Sequence, residues 1–465
     1  MGATGRRKVT YLMVGAAALV FAVAVVAAAV FFTTAGHGSF SSRATAPPPR
    51  PPAVKPGVSP VVDSALQPTP AGMTAMLSQV AADPNLGRLG ALITDALTGT
   101  QVWERGSDAP LVPASTNKVL TAAAALLTLD RQSRISTKVV DGQTSAAGSQ
   151  GVIVLVGAGD PTLSAAPVGV DTWYRGSARI SDLVEQIHRS GVTPTVVQVD
   201  TSAFSGPTMA SGWDPYDIGN GDIAPIEPVM IDAGRVQPTT ANSRRSNVPA
   251  LDAGRQLAIA LGLDPAAVRK GNAPNGARQL AVVQSAPLID RLSQMMDHSD
   301  NVLAECIGRE IAAATHHPQS FVGAVDAVLS RLAAAHVDTN GAALVDSSGL
   351  SVDNRLSART LAGVVQRAAG PDEPGLRPLL DLLPIAGGSG TLAERFVDAS
   401  TALGPAGWLR AKTGSLSGVN ALVGVMTDSS GRVLSFAFVS NGAGPNGRNV
   451  LDALAAKAWS CGCGQ

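Results

Sequence analysis

The chain has 465 residues, with 35 Lys and Arg against 35 Asp and Glu, and 45% of its residues are hydrophobic. A chain of this length usually holds two or three domains with sizeable cores. Its zero net charge argues against a nucleic-acid partner, because proteins that bind nucleic acids concentrate basic residues on one face.

The N-terminus, residues 1–35, predicts a cytoplasmic tail and a membrane anchor. Arg6-Arg7-Lys8 precedes an uncharged apolar run at 11–32, and about 20 apolar helical residues span the ~30 Å hydrocarbon core of a bilayer. Basic residues before the run place the N-terminus in the cytoplasm and the following chain outside. A cleaved signal peptide is the alternative, because small residues follow at 33–36. The length of the run favours the anchor, and both interpretations export the rest of the chain.

A proline-rich linker follows at residues 36–72, with Pro47-Pro48-Pro49-Arg50-Pro51-Pro52 as its densest part. Such a composition favours an extended, semi-rigid spacer over a packed fold. We expect this segment to hold a domain away from the membrane.

The first predicted elements after the linker lead to a serine. Residues 74–82 have a helical pattern, residues 89–95 and 100–105 predict a β-hairpin, and a helix begins at Ser115. One helical turn separates Ser115 from Lys118, so the amine can reach the hydroxyl. Lysine can accept the hydroxyl proton only when it is neutral, which requires burial or a neighbouring cation.

Residues 137–285 then alternate short strands and helices. The predicted strands are 151–156, 195–199 and 279–284, and the predicted helices are 180–189 and 251–261. A span of this length can form one or more inserted domains. Gly157-Ala158-Gly159 predicts a tight turn and not a dinucleotide site, because the third glycine is missing and Pro161 stands where the helix would begin.

Two further motifs lie beyond this insertion. Residues 286–296 and 302–314 predict two helices, and Ser299-Asp300-Asn301 falls in the short break between them, where its side chains can point into a cleft. Residues 408–414 predict a strand that ends in Lys412-Thr413-Gly414.

The remaining elements complete an α+β pattern, which is an antiparallel sheet flanked by helices. They are a loop of turn-forming residues at 345–351, a helix at 357–367, a hairpin at 419–427 and 432–440, and a closing helix at 448–459.

The three cysteines, Cys306, Cys461 and Cys463, tolerate oxidation outside the cell, where one disulfide and one thiol are expected. The sequence does not select among the three pairings. A bond from Cys306 to one of the other two is the preferred hypothesis, because a bond between Cys461 and Cys463 would be cramped. We expect no metal site here, since no histidine or second cysteine pair lies nearby.

The motifs Ser-x-x-Lys, Ser-Asp-Asn and Lys-Thr-Gly, in this order, are shared by class A β-lactamases and penicillin-binding proteins. The chain resembles the serine penicillin-binding proteins, and more narrowly the D-alanyl-D-alanine carboxypeptidase/endopeptidase family of the penicillin-binding protein 4 type (peptidase family S13). The resemblance covers residues 74–459 and includes segments 157–163, 224–228 and 348–355. One departure is Ser347, where the family pattern predicts glycine.

The resemblance implies a serine β-lactamase/penicillin-binding-protein-like catalytic domain. This domain would consist of residues 73–136 and 286–465, with the inserted domain or domains at 137–285. Ser115 would be the acylated nucleophile and Lys118 its general base. Ser299 would relay the proton to the leaving D-alanine, and Asn301 would hold the acyl-side amide and contact Lys118.

The third motif would bind the substrate. The resemblance implies that Lys412 and Thr413 face the terminal carboxylate, and that Gly414 and Ser415 continue the binding strand. The backbone N–H groups of Ser115 and Ser415 would form the oxyanion hole. We also hypothesise that the charge of Lys412 helps to keep Lys118 neutral.

The activity implied by the resemblance is cleavage of the terminal D-Ala-D-Ala bond of peptidoglycan stem peptides through an acyl-enzyme. The enzyme would need no cofactor or metal and would be inhibited by β-lactam antibiotics. Endopeptidase cleavage of cross-links uses the same acyl-enzyme chemistry, and the motifs do not separate the two activities. We favour the carboxypeptidase.

Two alternatives remain. A serine β-lactamase shares the motifs, but class A enzymes need an acidic residue to activate the deacylating water, and no Glu-x-x-Leu-Asn stretch follows Ser115. A non-enzymatic wall-binding scaffold is the other alternative, although the intact nucleophile, base and carboxylate clamp argue against it.

Overall fold

The computed structural model describes residues 65–142, 151–397 and 404–462. The predicted anchor at 11–32 and most of the linker lie outside the described residues. Within the described ranges, no helix is long and apolar enough to cross a membrane. The predicted linker ends earlier than expected, because a helix already begins at Pro70.

The strands are β1 (Arg88–Asp95), β2 (Gln101–Arg105), β3 (Ser136–Asp141), β4 (Val152–Val156), β5 (Val196–Asp200), β6 (Arg269–Lys270), β7 (Gln279–Gln284), β8 (Leu409–Leu416), β9 (Val419–Thr427) and β10 (Val433–Asn441). The helices are α1 (Pro70–Ala81), α2 (Lys118–Thr128), α3 (Ile180–Arg189), α4 (Tyr216–Asn220), α5 (Pro249–Ala260), α6 (Leu288–Asp297), α7 (Asn301–Ala314), α8 (Phe321–Ala334), α9 (Ala358–Ala369) and α10 (Gly447–Trp459).

The first sheet, called the catalytic sheet below, has the strand order β2-β1-β10-β9-β8. Each pair of adjacent strands in it is antiparallel. Helices cover both faces, so its strands are apolar on both sides. Ile93 packs with α1 and α10 on one face. Leu92, the adjacent residue of β1, packs with α2, α7, α8 and α9 on the other face, because successive strand side chains point to opposite sides.

Helix α2 is the central helix of the second face. Its residues from Lys118 to Leu126 are all buried, and four consecutive alanines, 122–125, have no exposed surface. Small side chains allow α8, α9 and α7 to approach closely around it. A short 3₁₀ helix, Ala114–Asn117, precedes α2. Ser115 therefore lies in this 3₁₀ turn, and the α-helix predicted to begin at Ser115 begins at Lys118.

The second sheet, called the insertion sheet below, has the order β6-β5-β4-β3-β7. It combines antiparallel pairs with parallel pairs between β4, β5 and β6. It encloses its own apolar core with α3 and α5. Segment 204–233 lies in the same stretch of sequence, but several of its side chains, such as Ile223 and Met230, belong to the core around α2.

The hairpin of β1 and β2, the helix pair around the second motif and the last three strands confirm the sequence predictions. Helix α8 and strand β3 are elements that the sequence analysis did not predict. The cysteine hypothesis is wrong in one respect. Cys306 is a free, buried thiol, whereas Cys461 is in a disulfide; Cys463 lies outside the described residues.

Candidate active site

Ser115 and Lys118 lie at the start of α2, and their side chains are in contact. The Lys118 Nζ is 3.0 Å from the Ser115 Oγ. It also donates to the Asn301 Oδ1 at 2.6 Å and to the Ser348 carbonyl at 2.8 Å. The predicted nucleophile and base are therefore within hydrogen-bonding distance.

The surroundings of Lys118 make its amine easier to deprotonate than that of an exposed lysine. The side chain is fully buried, and this burial lowers the pKa of Lys118 to about 8, although the carboxylates of Asp346, Asp300 and Glu305 act in the opposite direction. A neutral amine has two N–H groups and one lone pair. Because Asn301 and Ser348 accept the two N–H groups, the lone pair is left for the Ser115 hydroxyl.

The second motif lies between α6 and α7, as predicted. Ser299 has a positive φ of 55° and turns its hydroxyl toward Lys412, whose Nζ donates to it at 2.9 Å. The Asn301 amide nitrogen donates to the Asp222 carbonyl at 3.0 Å, which directs the amide oxygen to Lys118. The break between the helices thus brings Ser299 and Asn301 to the two lysines.

The third motif lies on β8. Lys412 is fully buried, and besides Ser299 it donates to the Thr413 carbonyl at 2.9 Å. The hydroxyls of Thr413 and Thr391 are 2.7 Å apart. A Cβ atom at Gly414 would lie 2.8 Å from the Pro113 carbonyl oxygen, so glycine permits β8 to approach the turn that carries Ser115.

Electrostatics between the two lysines differ from the sequence-based hypothesis. Burial is the first cause that lowers the pKa of Lys118. The pKa of Lys412 is held well below its ordinary value, first by burial and then by repulsion from Lys118 and Arg395. In the free protein, therefore, burial rather than the charge of Lys412 is the main cause of the lowered pKa of Lys118.

A loop at 346–354 supports the base. Glu305 accepts the backbone N–H groups of Ser347 at 3.0 Å and of Ser348 at 2.8 Å, which fixes the carbonyl that Lys118 contacts. Gly349 has φ +81°, and a Cβ there would overlap the Ala114 carbonyl oxygen. Ser347 fits without the glycine that the family pattern predicts, because its φ is not positive.

These motifs open onto one cavity of about 300 Å³. It is lined by Ser115, Ser299, Thr391, Arg395, Thr413, Ser415 and Arg448. Three of these, Thr391, Arg395 and Arg448, were missed by sequence analysis, because they have no local motif and lie far along the chain from the serine. Within the described ranges, no group of three or more His, Cys, Asp or Glu side chains could hold a metal ion.

The site unites a serine, a buried amine of lowered pKa and a second buried amine beside a polar cavity. This arrangement on an antiparallel sheet defines a serine peptidase fold of the penicillin-binding-protein and β-lactamase type. The crystal structure of penicillin binding protein 4 (dacB) from Haemophilus influenzae has the same fold. Its TM-score is 0.68 at 23% sequence identity, over 85% of this chain and 99% of that chain.

The chain belongs to the D-Ala-D-Ala carboxypeptidase 3 (S13) family, whose pattern matches residues 73–246 and 239–458. Residues 1–60 match the N-terminal domain described as Carboxypeptidase Rv3627c-like. Carboxypeptidase Rv3627c of Mycobacterium tuberculosis is 73% identical over 463 residues, 100% of both chains. Carboxypeptidase DacB of Mycolicibacterium smegmatis is 58% identical over 465 residues, again 100% of both.

Proposed function

We propose that this protein is a serine D-Ala-D-Ala carboxypeptidase that acts on peptidoglycan stem peptides through an acyl-enzyme on Ser115. The observation that carries the proposal is the contact of 3.0 Å between the Lys118 amine and the Ser115 hydroxyl. Because the other two neighbours of the amine are acceptors, the neutral lysine can take the hydroxyl proton. Membership of the S13 family supports this substrate class.

Acylation begins when the Ser115 oxygen attacks the carbonyl carbon of the penultimate D-alanine. Lys118 accepts the proton, and the backbone N–H groups of Ser115 and Ser415, two residues that line the same cavity, would bind the oxyanion. Each such donor typically contributes about 100-fold or more to the rate. The C–N bond then breaks, and the departing amine receives a proton by way of Ser299.

The substrate carboxylate has a role in this scheme beyond binding. A carboxylate beside Lys412 favours the charged form of that amine, so it raises the pKa of Lys412 in the complex. A charged Lys412 in turn disfavours a proton on Lys118. Substrate binding would thus increase the fraction of Lys118 that is neutral and able to accept the serine proton, which restores the coupling between the lysines that the sequence suggested.

A serine β-lactamase is disfavoured by the composition of the cavity. None of the described residues that line it is a carboxylate, and fast deacylation of a penicillin needs a base that activates water. Glu305, which lies nearby, is fully buried and accepts backbone N–H groups. We therefore expect penicillin to form a long-lived adduct and to inhibit the enzyme.

The cellular setting is also part of the proposal. The apolar run at 11–32 after three basic residues would anchor the protein in the cell membrane, with the catalytic part outside the cytoplasm. If the run is instead cleaved as a signal peptide, the same catalytic part would be secreted.

The experiment is mass spectrometry of products from two purified muropeptides, a monomeric pentapeptide and a cross-linked dimer. We expect the pentapeptide to lose one D-alanine. Cleavage of the dimer into monomers would reveal endopeptidase activity by the same site. Absence of both products, together with no covalent penicillin on Ser115, would favour the scaffold alternative, and rapid turnover of penicillin would favour the β-lactamase.

A further inference from the structure

Asp300, the middle residue of the second motif, is held by side chains from the insertion. It is 5% exposed, and its Oδ1 accepts the backbone N–H of Leu303 and caps α7. Its Oδ2 accepts the Tyr174 hydroxyl at 2.6 Å and lies 3.3 Å from the Arg235 Nη2. The Arg235 Nη1 donates to the Tyr174 oxygen at 2.7 Å. Tyr174, Arg235 and Asp300 are called the Tyr174 cluster below.

The side chains of the Tyr174 cluster are buried, and their charges interact strongly. Tyr174 has no exposed surface and Arg235 is 7% exposed. Burial alone would raise the pKa of Asp300, but Arg235, Arg245 and the Tyr174 hydroxyl hold it below its usual range. A buried ion pair that loses one partner becomes strongly unfavourable, so each member of the cluster constrains the others.

Two more contacts join the insertion to the same motif. The Arg235 guanidinium lies 4.6 Å from the ring centre of Trp173, and the Trp173 ring lies 5.2 Å from that of His298. The Asp222 carbonyl accepts the Asn301 amide at 3.0 Å. The insertion therefore contacts two of the three residues of the second motif, Asp300 and Asn301, and also His298, the residue before the motif.

Ser299 needs this support. Its φ of 55° is a left-handed conformation that is unfavourable for a non-glycine residue and persists only when its surroundings enforce it. The next residue is Asp300, and the Ser299 hydroxyl must stay close to Lys412. Because Tyr174 and Arg235 hold the side chain of Asp300, they restrict the backbone on the C-terminal side of Ser299 and so help to maintain its left-handed conformation.

We propose that Tyr174 and Arg235 are positioning residues, through which the insertion holds Ser299 and Asn301 in the geometry for acyl transfer. Neither residue lines the catalytic cavity, so neither is a catalytic residue. This inference rests on the proposed function and assigns to the insertion a role in the same reaction.

The test is Tyr174→Phe, which keeps the ring and removes the hydroxyl that joins Arg235 to Asp300. Tyr216→Phe is the matched control, because Tyr216 also lies in the insertion and is 80% exposed. The release of D-alanine from a D-Ala-D-Ala peptide is measured for each protein, and the sites are counted by stoichiometric labelling of Ser115 with a fluorescent penicillin.

We expect kcat per labelled site to fall roughly 10- to 100-fold in Tyr174→Phe, as for a misplaced catalytic group, with KM changed less than about twofold. The control should match the wild type. A normal kcat per labelled site would overturn the inference, even if the melting temperature or the labelled fraction falls, because the cluster would then only stabilise the fold.

Arg235→Lys and Arg235→Met provide a second comparison if Tyr174→Phe does not fold. Lysine keeps the charge beside Asp300, so it should recover part of the per-site kcat that methionine loses; equal values for both would contradict the inference. Failure of the wild-type protein to label or to release D-alanine is a different result, since it would reject the proposed function itself.

Discussion

The catalytic sheet and the insertion sheet have five strands each, but some of the charged side chains beside them differ in their exposure to solvent. Around the insertion sheet, ion pairs such as Arg255 with Asp252 and Arg189 with Glu185 are exposed. Beside the catalytic sheet, Lys118 and Lys412 have no exposed surface, and in the described part of the protein neither is in a salt bridge. Burial lowers the pKa of an amine, and at Lys118 it outweighs the opposing effect of the carboxylates of Asp346, Asp300 and Glu305, so reactivity arises where an amine is buried without a direct ion pair.

The largest effect should come from the nucleophile. Ser115→Ala removes the only atom proposed to be acylated, so D-alanine release should fall on the order of 10⁴-fold or more. Penicillin labelling should disappear, while the melting temperature stays close to that of the wild type. Ser202→Ala, in the insertion, is the matched control. Residual covalent labelling of Ser115→Ala would place the acyl group elsewhere.

The next largest effect should come from Lys118, whose replacement should slow acylation much more than replacement of a lysine in the insertion sheet. Lys118→Gln keeps hydrogen-bonding capacity but cannot accept the serine proton, so acylation by a penicillin should slow on the order of 10²- to 10⁴-fold. Lys270→Gln, whose lysine side chain is 51% exposed beside the insertion sheet, should acylate at the wild-type rate. Equal rates for both variants would show that Lys118 is not the base.

The pH dependence of acylation is the next effect in size. The pKa of Lys118 lies at about 8; below it the amine is protonated and has no lone pair, and above it the amine is neutral. Acylation of the free enzyme should therefore rise with pH and level off above about 8, with a roughly tenfold loss for each unit below. Stopped-flow labelling with a penicillin of constant charge measures this, and a rate that does not change between pH 6 and 9 would contradict it.

The smallest catalytic effect should come from the core of the insertion sheet. Ile153 is fully buried there, so Ile153→Ala should lower the free energy of unfolding by about 2–5 kcal/mol. Because Ile153 is remote from the second motif, kcat per labelled site should stay within about twofold of the wild type. A large loss per labelled site would show that the whole insertion, and not the Tyr174 cluster alone, sets the geometry of the motif.

Local sequence patterns were enough to predict most of the catalytic sheet and the three motifs. Alternating or continuous apolar runs between turn formers predict β9 and β10, and a short break between two helical patterns, residues 297–301, predicts the position of Ser299. Such signals act over a few residues, which is the range of hydrogen bonding in helices and hairpins.

The supporting contacts could not be predicted in the same way. Tyr174 and Arg235 meet Asp300 only because the chain returns from the insertion, since Tyr174 and Asp300 are 126 positions apart along the sequence. Arg395 and Arg448 reach the cavity from separate segments. The prediction of a disulfide at Cys306 was wrong for the same reason. The buried position of Cys306 in α7 cannot be inferred from the number of cysteines.

Strand β8 ends the catalytic sheet and pairs with β9 on one side, while its residues 413 and 415 line the cavity. An outer strand offers main-chain donors and acceptors to an extended peptide, and such bonds do not depend on side chains. The peptide end of a substrate aligned in this way would be held by hydrogen bonds between its own backbone and that of β8. Discrimination would then depend on chirality and chain length, so an enzyme of this design could tolerate chemical variation in the remainder of the stem.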